Sequence, residues 1–226
     1  MKLLVSFKKS SEFDNNIVRG IDILDLKDPE KGSIGAWISA DIISVVKKFK
    51  KKIKISATIG DISSNAILLN KLTNFDNFGL DYIKFAYISK KISALEKLIN
   101  DIGKIKFKTK LVFVIFVDEP MVLKFVDKNL DFLKKNKLNF LLLDTFKKNN
   151  RDLTSYCKLK YLDSFIKKCS TKKIKVGLAG RLRLKHIEEF KPLKPYLVGF
   201  RSAVCIDNKR NIICKDKLMN LLSYFR

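Results

Sequence analysis

The stretch DILDLKDPEKGSIGAW, residues 22–37, begins as an apolar run and then places carboxylates and a lysine where a buried strand should end. Side chains of a strand alternate between its two faces, so Ile23, Asp25 and Lys27 share one face. A neighbouring carboxylate keeps a lysine charged, whereas a partly desolvated site favours the neutral amine. Asp25 and Lys27 are therefore candidates for tuned lysine chemistry, and the alternative is a solvated surface ion pair.

Short runs rich in β-branched residues alternate along the chain with amphipathic, lysine-rich segments. The runs are KLLVSF (2–7), IDILDLK (21–27), KISATIG (54–60), DYIKFAY (81–87), TKLVFVIFV (109–117), NFLLLDT (139–145), IKVGLAG (174–180) and YLVGFRSAV (196–204). Helical spacing of apolar residues marks ADIISVVKKFKK (40–51), SALEKLINDIGK (93–104), PMVLKFVDKNLDFLKK (120–135), KYLDSFIKKC (160–169) and KLMNLLSYFR (217–226). This alternation predicts an α/β fold, a closed (β/α)₈ TIM barrel of parallel strands, ahead of an open doubly wound sheet. We find no linker and no internal repeat, so residues 1–226 are expected to form a single barrel domain.

The chain has 226 residues, and 46% of them are hydrophobic, which is enough for one sizeable core. No apolar run reaches membrane-spanning length, and the opening residues resemble a first strand more than a signal sequence, so we expect a cytoplasmic protein that does not bind membranes. The four cysteines form no CxxC pair, and the chain has one histidine. We therefore expect reduced thiols, no metal site and no cofactor.

The chain is strongly basic, with 47 Lys and Arg against 23 Asp and Glu, a formal charge of +24. The lysines are spread over all predicted helices and loops and do not form one stripe with interleaved aromatic residues. We therefore expect no nucleic-acid partner. A positive cleft would instead attract small anionic substrates such as phosphate esters.

Polar residues recur where the predicted strands end, and the carboxyl ends of barrel strands carry the chemistry of such folds. Asp25 and Lys27 close the second strand, and Asp144 closes the sixth, with Lys148 just beyond it. Lys84 stands in the middle of an apolar and aromatic run, YIKFAY, where a surface lysine has little reason to be. We predict that Lys84 points into the barrel; the alternative is a lysine that lies outside, between helices.

The last two strands end differently, in GLAGR (177–181) and GFRSAV (199–204). Glycine lets backbone N–H groups approach a ligand closely, and the loops after strands seven and eight often bind phosphate in this kind of barrel. Arg201 adds a planar donor fork suited to phosphate. We predict a substrate-phosphate site at Gly180, Arg201 and Ser202; the alternative is that the glycines only permit tight turns.

These residues together indicate Schiff-base chemistry on a phosphorylated aldehyde or ketone. A lysine that attacks a carbonyl must be neutral, and a second ammonium nearby favours the loss of its proton. Lys27, Lys84 and Lys148 could meet at one barrel mouth, with carboxylates to move protons. His186 lies on a charged segment, RLRLKHIEEF, and we interpret it as a solvated surface residue.

The 22–37 stretch resembles the signature D-[IV]-[IL]-D-x-K-[ND]-P-x-x-G-S-[LI]-G-A of the (5-formylfuran-3-yl)methyl phosphate synthases, barrel enzymes that make the furan precursor of methanofuran. The resemblance continues in order through KLLVS, ISATIGD, DYIKFAY, LLLDT, VGLAG and VGFRSAVC, and so covers nearly the whole chain. Arg181 and Ser202 depart from the serine and glycine that family members commonly have at those two positions.

The resemblance implies a carbon–oxygen lyase that condenses two molecules of glyceraldehyde 3-phosphate, loses phosphate and water, and cyclises to 4-(hydroxymethyl)-2-furancarboxaldehyde phosphate. Lys27 falls on the family's Schiff-base lysine and Lys84 on its proton-transferring lysine. Asp25, Asp144 and Lys148 align with residues that line that site.

Two rival functions remain open. A class I aldolase that acts through a lysine Schiff base on other sugar phosphates would share the lysines and the phosphate loop. A basic barrel without catalysis would bind nucleic acid with steep salt dependence and would not need Lys27. A homo-oligomer is compatible with such a barrel, although no segment of the chain specifies an interface.

Overall fold

A computed structural model describes residues 1–89, 91–147, 151–206 and 210–225, and it contains a closed barrel of eight parallel strands in sequential order. The strands are β1 (Lys2–Phe7), β2 (Ile23–Leu26), β3 (Lys54–Thr58), β4 (Tyr82–Ala86), β5 (Lys110–Phe116), β6 (Phe140–Asp144), β7 (Lys175–Leu178) and β8 (Leu197–Phe200). β1 pairs with β8, for example Leu4 with Gly199, and this pairing closes the barrel. The predicted TIM barrel is confirmed.

Helices connect the strands and cover the barrel. They are α1 (Asn15–Gly20), α2 (Ser39–Phe49), α3 (Asn65–Phe75), α4 (Ile92–Lys104), α5 (Pro120–Lys128), α6 (Leu130–Lys135), α7 (Leu153–Tyr156), α8 (Leu159–Thr171), α9 (Lys185–Phe190) and α10 (Lys215–Ser223). Within the described residues, no helix combines the length and the apolar character needed to cross a membrane.

The single helix predicted over residues 120–135 is two helices in the structure, because Asn129 interrupts it. Asn129 has φ −124° and ψ 37°, outside the helical region, and its side-chain amide donates to the Phe125 carbonyl at 2.8 Å. Asparagine competes in this way for backbone groups of a helix. An apolar periodicity does not register such a break, because the spacing of buried residues continues across it.

The barrel has two apolar cores, one inside the strands and one between strands and helices. Ile23 belongs to the inner cluster together with Leu4, Val112 and Leu142, whereas Leu24 belongs to the larger outer cluster. Adjacent residues of β2 therefore face opposite sides, as alternation predicts. Asp25 follows Ile23 on the inner side, which explains why this strand can carry a carboxylate in its buried interior.

The amino-terminal end of the barrel is closed by aromatic rings. Tyr82 and Tyr196 lie 3.0 Å apart at their hydroxyls, and the ring of Phe140 packs edge-on against both. Lys110 and Lys175 lie over these rings. Aromatic rings and lysine side chains thus cover this end of the barrel.

Two loop carboxylates order the carboxyl-terminal face. Asp61 accepts hydrogen bonds from the backbone N–H groups of Ser33 at 2.7 Å and Ile34 at 3.0 Å. Asp118 accepts from the backbone N–H groups of Phe146 at 2.7 Å and Lys147 at 2.6 Å. Asp61 thus joins the loop after β3 to the loop after β2, and Asp118 joins the loop after β5 to the loop after β6. These hydrogen bonds fix the two pairs of loops at the barrel mouth.

The interpretation of His186 as a surface residue was wrong. Its side chain is fully buried on α9, stacks on Phe190, and accepts a hydrogen bond at Nδ1 from the backbone N–H of Arg183 at 2.7 Å. Burial lowers the pKa of His186 below its ordinary value, against the opposing charge of Asp152. The charged neighbours in sequence point outward on the helix, and His186 occupies the inward position between them.

Candidate active site

A pocket opens at the carboxyl-terminal end of the barrel. Six residues predicted from the sequence line it: Lys27, Lys84, Asp144, Gly180, Arg201 and Ser202. Asp25 lies against Lys84 beside this pocket. Lys148 lies outside the described residues. Strands and loops far apart in sequence therefore bring most of the predicted site into one place.

Asp25 is the most buried acid of the site, with no exposed surface. Its carboxylate accepts hydrogen bonds from Ser6 Oγ at 2.6 Å, from Ser56 Oγ at 2.6 Å and from Lys84 Nζ at 2.5 Å. The two serines come from the strands on either side, in register with Asp25. Three donors thus satisfy the hydrogen-bonding capacity of this buried carboxylate.

Lys84 points into the barrel and is 3% exposed, which agrees with the inward orientation predicted for it. Burial is the main cause that lowers its pKa; Asp25 opposes this effect and the nearby charge of Lys27 adds to it. The side chain borders an apolar cavity on its lower side, lined by residues such as Ile23 and Leu142, and the polar pocket on its upper side. Such a lysine can give up its proton more easily than one in water.

Lys27 follows β2 and enters the same pocket from its rim. Its ammonium lies 3.3 Å from Asp144 Oδ2, and the two side chains are 15% and 10% exposed. Asp144 also accepts the backbone N–H of Thr145 at 2.7 Å, which orients the carboxylate at the end of β6. The long contact leaves Lys27 room to turn toward a ligand, with a carboxylate nearby to exchange protons.

Gly180 begins the loop after β7 with φ +99°, a conformation that side chains disfavour. A Cβ there would lie 3.0 Å from Thr145 Cγ2 and 3.1 Å from the Thr145 backbone nitrogen. Ser202 starts a short 3₁₀ turn directly after β8. Both positions bring backbone close to the pocket, a geometry that suits an anion.

Arg201 does not present its fork to the pocket in the way the sequence suggested. Its Nη1 and Nη2 bind the two carboxylate oxygens of Glu12 at 2.5 and 2.9 Å, and Nη1 also donates to the Ser6 carbonyl. Nε and Nη2 donate to the carbonyl of Arg210, and Nη2 also to that of Asn211. Protein groups thus occupy every nitrogen of this guanidinium, and its immediate effect is to fasten the loop after β8 to the loop after β1.

Four further residues complete the site and were not singled out as site residues: Ser6, Ser56, Glu12 and Arg210. The two serines have a signal in the sequence, since each is a polar residue at an inward position of an apolar strand. Glu12 and Arg210 have no such signal, because neither lies in a strand. Glu12 ends a short 3₁₀ turn after β1 and Arg210 lies in the loop after β8, so the closure of the barrel brings Glu12 to Arg201 and Arg210 to the pocket.

The described residues contain no group of three or more His, Cys, Asp or Glu side chains placed to hold a metal ion. The pocket lining combines two ammonium groups, the carboxylate of Asp144, three arginines and close backbone.

Residues 3–222 match a family model described as 4-HFC-P synthase. The chain is 30% identical to the (5-formylfuran-3-yl)methyl phosphate synthase of Archaeoglobus fulgidus over 237 aligned positions, which cover 98% of each chain. It is 26% identical to the protein of the same name from Methanobrevibacter smithii, over 93% of this chain and 92% of that one.

Among solved structures, the chain is similar to phosphoribosyl anthranilate isomerase from Thermococcus kodakaraensis, with a TM-score of 0.67 at 14% identity, over 100% of this chain and 98% of that one. The same isomerase from Pyrococcus furiosus gives a TM-score of 0.64 at 16% identity, over 99% and 98% of the two chains. At these identities the likeness concerns the barrel fold alone.

Proposed function

The chain belongs to the 4-HFC-P synthase family, and we propose that it condenses two molecules of glyceraldehyde 3-phosphate into 4-(hydroxymethyl)-2-furancarboxaldehyde phosphate. The atoms balance when one phosphate and two waters leave, which makes the reaction a phosphate-eliminating carbon–oxygen lyase. The observation that supports this most is the pair Lys27 and Lys84, which line one pocket and contact different carboxylates.

Lys27 is the group that we propose to form the imine. Its neutral amine attacks the aldehyde carbon of the first triose phosphate, and the carbonyl oxygen leaves as water after it has gained protons. Asp144, 3.3 Å from the Lys27 ammonium, is placed to pass these protons. The pocket's arginines and the backbone near Gly180 would hold the phosphate group.

Lys84 is the proposed base for the next step. In the iminium form, the carbon next to the imine is acidic, and its proton can pass to a neutral Lys84 amine. The resulting enamine can expel the phosphate at the neighbouring carbon or attack the aldehyde of the second triose. Asp25 would hold the Lys84 side chain in place and stabilise the ammonium that forms.

Borohydride trapping tests the proposal directly. Intact mass is measured after incubation with glyceraldehyde 3-phosphate and borohydride for wild type, Lys27→Ala and the matched control Lys31→Ala, whose side chain is 55% exposed on the next turn of the chain. We expect an adduct on wild type and on Lys31→Ala that Lys27→Ala lacks, and a furan aldehyde chromophore in the untrapped reaction.

Other outcomes are equally informative. An adduct at Lys27 without the furan would support a class I aldolase that acts on other sugar phosphates. An unmodified wild-type protein would overturn the Schiff-base proposal.

A further inference from the structure

The guanidinium of Arg201 is used entirely within the protein, although the pocket beside it is suited to a phosphate group. A second arginine, Arg210, lines the same pocket with Lys27 and Asp144. We propose that Arg210 is the arginine of this loop that binds the substrate's phosphate monoester. Arg201, itself anchored by Glu12, is then a positioning residue that holds Arg210 in place. The inference rests on the proposed function only for the identity of the phosphate ester.

The hydrogen bonds of Arg201 fix the backbone of Arg210. The Arg210 carbonyl accepts from Arg201 Nε at 3.0 Å and from Arg201 Nη2 at 2.8 Å. The Arg201 side chain is anchored at its other edge by Glu12, whose carboxylate is 6% exposed. Arg201 directly follows β8. Its hydrogen bonds therefore hold the Arg210 backbone against the barrel, in addition to the contacts within the loop.

The backbone conformation of Arg210 indicates that surrounding contacts hold this residue in a defined position. Its φ is +64°, in the left-handed region that residues with a side chain rarely adopt. Arg181, across the pocket on the loop after β7, has φ +50° and also lines the pocket. Backbone strain of this kind persists where surrounding contacts determine the conformation, and at Arg210 the two bonds from Arg201 are those contacts.

The charges around Arg210 favour an anion in the pocket. Burial lowers the pKa of Arg210 most, and the nearby charges of Arg181 and Arg201 lower it further. Asp144 opposes this effect, but its carboxylate is also the neighbour of Lys27. A dianionic phosphate monoester would relieve this excess of positive charge, and a guanidinium can bind two of its oxygens at once.

Glu12→Gln distinguishes the two arginines by the sign of its effect. If Arg201 were the phosphate ligand, removal of the Glu12 charge would free its fork and strengthen phosphate binding. If Arg201 positions Arg210, the same change loosens the anchor and weakens binding. The probe is glycerol 3-phosphate, a three-carbon phosphate monoester that has no carbonyl and so cannot form an imine, and its affinity is measured by calorimetry.

We expect Arg210→Ala to weaken glycerol 3-phosphate binding about tenfold or more, the effect of losing a charge-assisted contact. Arg210→Lys should retain part of the affinity. Arg19→Ala, which removes an exposed guanidinium from α1, is the charge-matched control and should bind as wild type does. Glu12→Gln should weaken binding in the wild-type background and have no further effect in Arg210→Ala.

Wild-type affinity in Arg210→Ala, or tighter binding in Glu12→Gln, would overturn the inference. Near-ultraviolet circular dichroism of each variant verifies that it is folded before its affinity is interpreted. Failure of the proposed function would look different: glycerol 3-phosphate would still bind through Arg210, while no imine or furan would form with glyceraldehyde 3-phosphate.

Discussion

Lys84 Nζ lies 2.5 Å from Asp25 Oδ2 inside the barrel, and both side chains are almost fully buried. A buried ion pair adds little net stability when it is intact, because the cost of desolvating two charges offsets their attraction. The loss of one partner is much more costly, because the other charge is then buried without compensation. The pair therefore constrains the fold as well as the proposed chemistry.

Asp25→Asn should destabilise the protein by about 3–5 kcal/mol, because it leaves Lys84 without a carboxylate. The double variant Asp25→Asn with Lys84→Met removes both charges and should recover a large part of that loss. Free energies of unfolding in urea measure both effects. The single variant Lys84→Met completes the cycle. If the stability losses of the two single variants add up to the loss of the double variant, the pair is not coupled.

The serines on Asp25 should each contribute measurably to stability. Ser6→Ala and Ser56→Ala each remove one hydroxyl donor from a buried carboxylate, with an expected loss of about 1.5–3 kcal/mol. Ser223→Ala, at an exposed position on α10, is the control and should change stability little. A loss in the two buried variants no larger than in the control would contradict the importance of these hydrogen bonds.

The rate of furan formation should rise with pH as the Lys84 ammonium loses its proton, with a midpoint below the ordinary lysine value of 10.5. The direction follows because burial lowers the pKa of Lys84 and the neutral amine is the proposed base. The pH profile of kcat measures this midpoint. A rate that does not change with pH until the ordinary lysine value would exclude Lys84 as the base.

Gly180→Ala should lower stability more than Gly60→Ala. The two glycines share φ +99°, so an alanine brings the same backbone strain of about 1–3 kcal/mol at either position. At Gly60 the nearest atom to a new Cβ is 3.7 Å away, whereas at Gly180 Thr145 lies at 3.0 Å. The difference between the unfolding free energies of the two variants measures the cost of the close contact with Thr145. Equal losses would show that backbone strain alone causes the destabilisation.

Stability should decline as the pH falls below about 6.5, in part because of His186. Burial in the folded protein lowers the pKa of His186 from its ordinary value of 6.5, so the unfolded chain binds the proton more readily. The stabilisation is complete above pH 6.5 and is lost progressively as the pH falls toward the folded value. His186→Asn leaves no histidine in the chain, and its unfolding free energy should depend less steeply on pH between about 7.5 and 5. An unchanged slope would contradict this role.

The sequence by itself determined the barrel and the inward face of its second strand. Eight apolar runs alternating with amphipathic segments leave few other architectures, because each run must be buried on both faces. Asp25, Lys27 and Lys84 could be placed by alternation alone, since a period of two assigns every residue of a strand to one side. The inward positions of Ser6 and Ser56 could have been predicted by the same argument.

Only the tertiary structure decided what the loop residues do. Arg201 follows glycine and phenylalanine at the end of a strand, as a phosphate ligand would, yet its donors bind Glu12 and the carbonyls near Arg210. His186 carries charged neighbours in sequence but is buried. Loop conformations have no periodicity, and their contacts join residues almost two hundred positions apart in the chain. Such contacts form only when β1 and β8 close the barrel, so no local pattern can encode them.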